Sequence, residues 1–308
     1  MNSSDVFAKN PRVYKIQKIV FTTLTYLFLV FVAVIILIPF YWMLLTSVKS
    51  TPMIQRVPPL LWVPFKNWVL TNYTGLFALD RYGNAIFPFF TYLKNTVLVA
   101  LITTAGTALT TILAAFAFAR LHFKGRDTVF AILLGTMMVP GEIFILTNFL
   151  TINKFGWYNV FNQTYTDAIL AMTIPFMTSV FYTFYLRQTF KQIPNELYFA
   201  AKVDGTGDFG YLWKIMVPVA SPTIVTILIL NAMGAWSAYI WPVLVTAKSE
   251  YRLVSNALRG TTFMDNAGIV QYGQQMAAAT LVTVPLLIIF FIFRKQIMRG
   301  VSRSGIKG

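Results

Sequence analysis

Few residues in this 308-residue chain are capable of catalytic chemistry, and that scarcity limits what the chain can do. It contains no cysteine, which excludes thiol nucleophiles, disulfides and cysteine-ligated zinc, and a single histidine, His122, which leaves little room for a histidine-based metal site or a catalytic triad. The acidic residues occur singly, without the convergent polar groups that an active site requires. The sequence therefore predicts no catalytic residue, no metal site and no cofactor in this chain.

One polar segment stands out between two apolar ones, "NELYFAAKVDGTGDFGYLWKIMVP". Its first half predicts a short helix, because Pro194 suits a first turn and Glu196 suits the positive N-terminal end. Lys202 favours the last turn, and Gly205 stands where a helix stop needs a positive φ. Asp208 is expected to cap a second helix.

Two nucleotide-binding interpretations of this segment fail on context. Gly205 to Gly210 matches G-x-G-x-x-G, but a dinucleotide fingerprint must follow a buried strand and open a helix within a βαβ unit. Here the glycines follow a predicted helix. The chain also lacks G-x-x-x-x-G-K-[ST], so any ATP that drives it must be hydrolysed by another subunit.

The elements that must position this segment are membrane spans. Six apolar segments approach or exceed the roughly 20 residues that a helix needs to cross a bilayer, which predicts an all-α membrane protein with six transmembrane helices. The segments are Ile19–Leu45, Asn95–Ala119, Thr128–Leu150, Ala168–Leu186, Pro222–Val245 and Met276–Phe293.

The basic residues between the spans predict which side of the membrane each connection occupies. One set of connections holds 16 Lys and Arg and the other holds nine, so the first set and both termini are expected in the cytoplasm. The net charge of +15 is then a consequence of topology and gives no support to nucleic-acid binding. The basic set is 1–18, 120–127, 187–216 and 294–308, and the other is 48–94, 151–163 and 247–272.

The resulting organisation has three parts. A cytoplasmic N-terminal tail, 1–18, precedes a six-span permease domain at 19–293, and a cytoplasmic C-terminal tail follows at 294–308. Within the domain, 46–94 is an external segment whose aromatic residues suit the membrane interface or an external partner. Residues 187–221 form a cytoplasmic loop that contains the polar segment.

Two sets of residues within the spans are candidates for a substrate path. Glu142 follows Pro140 in the third segment, where an ionisable group is a functional hypothesis by default. Alternatively, its carboxyl satisfies backbone groups that the proline frees. Aromatic and amide groups of the fifth segment suit a sugar, although they could equally bond helices together or lie at the interface. They are Asn231, Trp236, Tyr239 and Trp241.

The polar segment resembles the EAA loop of ABC-importer permeases, whose pattern is Glu-Ala-Ala, three residues, Gly, nine residues and Ile-x-Leu-Pro. Ala200 and Ala201 match the alanines, Gly205 matches the glycine, and Ile215 and Pro218 match the end of the pattern. The likeness continues in "MMVPGEIFILTNFL", "LRQTFKQIPNEL", "GAWSAYIWPVLVT" and "GIKG", which are similar to carbohydrate-importer permeases of the maltose-transporter type. It spans most of residues 85–308.

This sequence departs from the family pattern at one position of the loop. Phe199 stands where the family usually has glutamate, which removes the acidic group expected there, although Glu196 lies one turn away. The resemblance implies that the loop couples the spans to a cytoplasmic ATPase. The residues it assigns to that coupling are Glu196, Ala200, Ala201, Asp204, Gly205, Ile215 and Pro218.

The resemblance further implies a type I ABC importer permease fold and an assembly in the cytoplasmic (inner) membrane of a prokaryote. The expected partners are a homologous second permease, two ABC ATPase subunits that bind ATP and Mg, an extracytoplasmic solute-binding protein and a carbohydrate substrate. Three alternatives stay open: an ABC permease for another solute, a secondary transporter driven by ions, and a membrane enzyme. The isolated Glu142 and the six spans fit a secondary transporter poorly, and no polar cluster marks an enzyme site.

Overall fold

The chain is helical throughout the part that the structure describes. Extended pairing within that part is limited to one bridge between Met264 and Val270. The predicted terminal tails lie partly outside it. The structure is a computed structural model that describes residues 11–78, 87–261, 263–264 and 268–302.

Fifteen α-helices occur in the described residues, joined by short 3₁₀ turns and one π-helical turn, Leu212–Met216. They are α1 Pro11–Ser47, α2 Thr51–Ile54, α3 Thr71–Thr74, α4 Phe89–Arg120, α5 Arg126–Thr136, α6 Phe144–Lys154, α7 Tyr165–Thr173, α8 Val180–Lys191, α9 Asn195–Val203, α10 Asp208–Tyr211, α11 Val217–Val219, α12 Ser221–Ser237, α13 Ile240–Val245, α14 Val254–Gly260 and α15 Tyr272–Ser302.

Three of the helices are long and apolar enough to cross a membrane without interruption, and three further spans arise if each bent helix pair is counted as one. The continuous helices contain the first, second and sixth apolar segments. The bent pairs are Arg126–Thr136 with Gly141–Lys154 at 85°, Tyr165–Phe176 with Val180–Lys191 at 51°, and Asp208–Val219 with Ser221–Ser237 at 79°.

Prolines account for the breaks. Pro140 and Pro175 lie at the two interruptions of the third and fourth segments, where a proline cannot donate to the helix ladder. The expectation of one helix is wrong for the third, fourth and fifth segments: the third and fourth are bent pairs, and in the fifth α12 ends at Ser237 and α13 begins at Ile240. The ring of Pro242 crowds the carbonyl of Ala238 four residues earlier, which favours a break there, although α1 and α15 continue through Pro39 and Pro285.

The chain divides into two compact units, Met1–Gly75 with Phe263–Thr280 and Leu76–Thr262 with Leu281–Gly308. In the first, the residues after α1 fold back on its end. The side-chain amide of Asn72 donates to the carbonyls of Ser47 (2.9 Å) and Lys49 (2.8 Å). As Pro58, Pro59 and Pro64 predict, this segment forms only short turns.

The second unit is built around α4, which packs against α8 and α12. Two buried apolar clusters line it. One joins the end of α4 to the polar loop and is formed by Ile112, Ala115, Phe116, Leu186, Phe190, Ile193, Ala201, Tyr211, Leu212, Met216, Ala220, Ile224 and Ile227. The other lies towards the start of α4 and is formed by Val99, Ile152, Ala168, Ile169, Ala171, Met172, Trp241, Val245, Tyr251 and Leu253.

Candidate functional site: the α9 loop and an intramembrane cavity

The helix predicted in the polar loop is present as α9. It begins directly after Pro194 and ends in a Schellman motif, in which the Thr206 amide donates to the Ala201 carbonyl (2.8 Å). The Gly205 amide donates to the carbonyl of Lys202 (3.0 Å), and Gly205 has a φ of +74°. Both the start and the stop of the helix are therefore confirmed.

Arg120, the last residue of α4, holds the start of α9 in place. Its guanidinium donates to the carbonyls of Phe190 (3.0 Å) and Ile193 and to the side-chain oxygen of Asn195. The residue is only 8% exposed. One buried side chain thus joins the ends of two span helices to the first residue of α9. The sequence marked this residue only as a base after an apolar run, since its partners lie about 70 residues away.

A second arginine, Arg187, joins α8 to the turn between α4 and α5. The Nε of Arg187 in α8 donates to the carbonyl of Phe118 (3.1 Å), and its guanidinium forms an ion pair with Asp127 (3.3 Å). The same guanidinium lies over the ring of Phe130 at 3.9 Å from the centroid. The beginning of α5, the end of α4 and α8 are consequently tied together beside α9.

The two alanines of the loop pattern face different ways. Ala201 is buried, at 4% exposure, in the cluster that contains Phe190 and Tyr211, whereas Ala200 is exposed. The small side chain at Ala201 therefore serves packing within this chain. Of the other residues assigned to coupling, Ile215 is half-buried, and the exposed ones are Glu196, Asp204, Gly205 and Pro218.

Asp208 does not cap the helix that follows, contrary to expectation. Gly207 occupies the capping position, and no side chain caps that end of α10. The Asp208 carboxylate instead accepts from the Tyr198 hydroxyl (2.8 Å) and pairs with Lys202 (2.8 Å), both on α9. The hydrogen bond with Asp208 raises the pKa of Lys202. The residue thus braces α9 against α10 instead of closing a helix end.

Four of the five predicted substrate-path residues come together around one cavity. The cavity has a volume of about 680 Å³ and lies within the second unit. Trp236 is placed elsewhere, against a separate apolar pocket of about 160 Å³. The residues that line the larger cavity include Glu142, Asn231, Tyr239 and Trp241.

The polar groups of the cavity differ in how far they are already bonded. Asn231 accepts a hydrogen bond from Thr104 (3.1 Å), so it joins α12 to α4, and Trp241 donates to the carbonyl of Ala171 (2.9 Å). Glu142 is exposed in the 3₁₀ turn at the 85° break. Thr103 also lines the cavity, and its buried hydroxyl has no partner among the described residues. The sequence did not single out Thr103.

Helical spans that break around a cavity, together with a braced loop helix, are features of a membrane transport subunit. The chain belongs to the family described as "Binding-protein-dependent transport system inner membrane component", whose model matches residues 109–303. It is a multi-pass permease subunit of the inner membrane and not an enzyme.

Curated relatives match nearly the whole chain. The arabinooligosaccharides transport system permease protein AraQ of Bacillus subtilis is 29% identical over 92% of this chain and 94% of its own length. The trehalose/maltose transport system permease protein MalG of Thermococcus litoralis is 29% identical over 91% of this chain and 94% of its own.

Solved structures show the same fold. A chain of a bacterial ABC transporter involved in the import of the acidic polysaccharide alginate aligns with a TM-score of 0.74. That alignment has 19% identity and covers 94% of this chain and 99% of the other. A second structure, of the alginate transporter with a pentasaccharide-bound periplasmic protein, aligns with a TM-score of 0.58, 18% identity, and coverage of 91% and 97%. The fold is that of an ABC importer permease.

Proposed function

We propose that this chain is one half of a membrane channel that imports a sugar or oligosaccharide, driven by ATP that separate subunits bind with Mg and hydrolyse. The observation that carries the proposal is α9: a short helix on the EAA-type pattern, braced from within by Arg120 and exposed on its other side. The carbohydrate assignment comes from two relatives, which are named as permeases for arabinooligosaccharides and for trehalose and maltose.

In the proposed arrangement, both termini and the loop 187–221 lie in the cytoplasm, because the basic residues concentrate there. Residues 46–94 face outward, where an extracytoplasmic solute-binding protein delivers the substrate. The domain 19–293 pairs with a homologous second permease, and each permease holds one ATPase subunit through its own loop.

Coupling follows from the rigidity of α9. Closure of the ATPase pair would move α9 as a body, because Arg120 and the Schellman motif leave it few ways to bend. The movement would pass through the buried side of α9 at Ala201, and through Ile215 and Pro218, into α12. Glu196, Ala200, Asp204 and Gly205 lie on the exposed part of the loop, within reach of a partner.

The cavity is the proposed part of the substrate path in this chain. Carboxylate, amide and hydroxyl groups at Glu142, Asn231 and Thr103 would meet sugar hydroxyls, and the rings of Tyr239 and Trp241 would meet its apolar C–H faces. The breaks in the spans favour this use, since irregular backbone inside a membrane is tolerated where it lines a cavity. Trp236 has no part in this path.

The assembled transporter, reconstituted in vesicles with its binding protein outside, tests the proposal. We expect uptake of one class of carbohydrate that requires ATP on the side of α9 and persists without an ion gradient. Uptake driven by an ion gradient alone would make the chain part of a secondary transporter. If ATP drove uptake of a non-carbohydrate solute only, the assignment of a carbohydrate substrate would be wrong. The solutes tested should include sn-glycerol-3-phosphate, because another relative, UgpE of Yersinia pestis, is named for it.

Two variants of Gly205 test the role of the loop. A Cβ at Gly205 would meet nothing within 4 Å, so a substitution acts through the backbone angle. Gly205→Val cannot keep a positive φ without strain, whereas Gly205→Asn can. We expect the valine variant to lose about tenfold or more of the ATP-driven uptake and the asparagine variant to keep most of it. Equal uptake by the two variants would remove the loop from the mechanism.

A further inference from the structure

The side of α9 that faces away from the chain carries a stripe of three residues, Glu196, Phe199 and Val203. Their spacing of three and four residues places them on one face, opposite the buried Ala201. Phe199 is 63% exposed and Val203 is 88% exposed. The ring of Phe199 touches that of Tyr198 at its inner edge, and Phe199 and Val203 together present a contiguous apolar patch of the kind that binding partners cover.

The charged residues at the two ends of the apolar centre of this stripe, Phe199 and Val203, are acidic. Glu196 lies before it and Asp204 follows it at the end of the helix, and neither forms an ion pair within the described part of the chain. The one base of α9, Lys202, is engaged with Asp208. The outward face is therefore apolar in the middle and negative towards both ends.

We infer that α9 docks on its ATPase subunit through an apolar contact centred on Phe199 and Val203. This inference rests on the proposed function. The complementary groove has an apolar floor and a basic rim that meets Glu196 and Asp204. Because Phe199 replaces the glutamate usual in related permeases, an ATPase whose groove offers only a base at that position is a poor partner for this chain.

A lipid surface is the other occupant that exposed apolar side chains suggest, and the charges disfavour it. Helices that lie on membranes carry Lys and Arg on their polar face, because the cytoplasmic leaflet is anionic. Carboxylates stand at both ends of the apolar centre instead, at Glu196 in the stripe and at Asp204 just after it, and such a leaflet repels them. A protein groove with a basic rim fits the same surface without that penalty.

Accessibility to labelling distinguishes the two occupants, and the absence of native cysteine makes single-cysteine labelling clean. Phe199→Cys and Val203→Cys are exposed to a membrane-impermeant maleimide in inverted vesicles, with the ATPase present or stripped away. We expect both positions to be labelled only after stripping. Protection that persists without the ATPase would assign the stripe to lipid, and labelling that ignores the ATPase would leave it outside any interface. Either result overturns the inference.

Recovery of the ATPase with the purified chain tests the chemistry of the contact. We expect Phe199→Glu to lower recovery about tenfold or more, because a carboxylate would enter an apolar floor, and Phe199→Leu to retain it. Phe161→Glu is the matched control, since Phe161 is 86% exposed outside the loop and should leave recovery unchanged. Wild-type recovery should persist from about 0.1 M to about 1 M salt, because apolar contacts are not screened.

The outcomes separate the two proposals. If the wild-type chain recovers no ATPase, the proposed function fails. If it recovers the ATPase and Phe199→Glu recovers as much, the function stands and the apolar contact is wrong. Wild-type recovery that collapses in high salt would likewise replace the apolar contact with an ionic one.

Discussion

The two ends of α4 are fastened by different chemistry. At the end next to α9, which the proposed function places in the cytoplasm and which we call the inner end, the guanidinium groups of Arg120 and Arg187 bond the carbonyls that end α8 and α4. Around the opposite end, which we call the outer end, the neutral side-chain amides of Asn95 in α4 and of the nearby Gln163 bond backbone groups of the loops and of α13. The ends lie about 25 residues apart along one helix, roughly 38 Å at 1.5 Å per residue.

The outer end shows how much neutral amides can join. The Gln163 side chain donates to the carbonyls of Trp157 (2.9 Å) and Val245 (2.8 Å) and accepts from the amide of Ala247 (2.8 Å). Asn95 donates to the carbonyls of Glu250 (2.9 Å) and Arg252 (3.1 Å) in the same way. Every group in these bonds is uncharged.

The difference indicates what each end resists. Hydrogen bonds from an ionised donor are roughly twice as strong as neutral ones, and an arginine fork fixes orientation as well as distance. In the proposed function, the movement of the ATPase subunits reaches this chain at α9. The stronger and more directional hydrogen bonds therefore lie where that movement is applied. The outer end needs only to hold loops together around the cavity. Arginine is also the residue that topology favours on the cytoplasmic side.

The largest effect is expected from Arg120→Met. It leaves the carbonyls of Phe190 and Ile193 and the side chain of Asn195 without this donor, and each buried hydrogen bond lost in this way costs about 1–3 kcal/mol. We expect a sharp fall in the number of sugar molecules transported per ATP hydrolysed.

This ratio distinguishes positioning from simple loss of folded protein, because the amount of transporter cancels in it. Arg120→Lys keeps the charge but not the fork, so it should restore the ratio only in part. If Arg120→Met left the number of sugar molecules transported per ATP unchanged, the inner end would have no role in coupling. Like the outer end, it would only stabilise the fold.

An intermediate effect is expected from Gln163→Leu at the outer end. Two carbonyls and one amide lose a neutral partner, which costs about 2–3 kcal/mol of stability. Thermal unfolding in detergent should occur at a lower temperature, while transport per ATP stays unchanged. Asn162→Ala, at the exposed neighbouring residue, should change neither quantity. A fall in transport per ATP for Gln163→Leu would show that both ends carry the coupling.

The smallest effect is expected from Asp208→Asn, which removes the ion pair with Lys202 but keeps an acceptor for Tyr198. The two side chains of the pair are 39% and 43% exposed, so solvent screens their attraction and the pair contributes little to stability. Unfolding temperature and recovery of the ATPase should both stay close to wild type. A large loss would mean that exposed charges brace α9 as firmly as the buried Arg120.

Local patterns in the sequence predicted most of the α9 loop. Pro194 and Gly205 set the ends of α9 through backbone restrictions that act within a few residues, and both predictions are confirmed. The long spans followed in the same way from continuous apolar runs. The end of α12 was predictable only in part, since Pro242 disfavours a helix through Ala238 but Pro39 and Pro285 lie inside continuous helices, and the apolar composition of that stretch hid the break.

Features that depend on distant partners were not predictable from local patterns. Helical spacing groups Phe199 with Val203, yet only the packing of α9 against α8 and α10 decides that Ala201 is the buried side. The bonds of Arg120 join residues about 70 positions apart, and no local pattern encodes them. The sequence around Gln163 is likewise that of an ordinary loop, and it does not predict the bonds of Gln163 to Val245 and Ala247 more than 80 residues away.

The broken spans have a consequence for how the chain enters a bilayer during synthesis. The two α-helices of the third span, α5 and α6, have 11 residues each and reach about 17 Å, little more than half of a roughly 30 Å hydrocarbon core. A half-span leaving the translocon alone would present unpaired amides and carbonyls to lipid. The continuous helices α1, α4 and α15 are long enough to partition singly, whereas we expect the two halves of the third span to insert together.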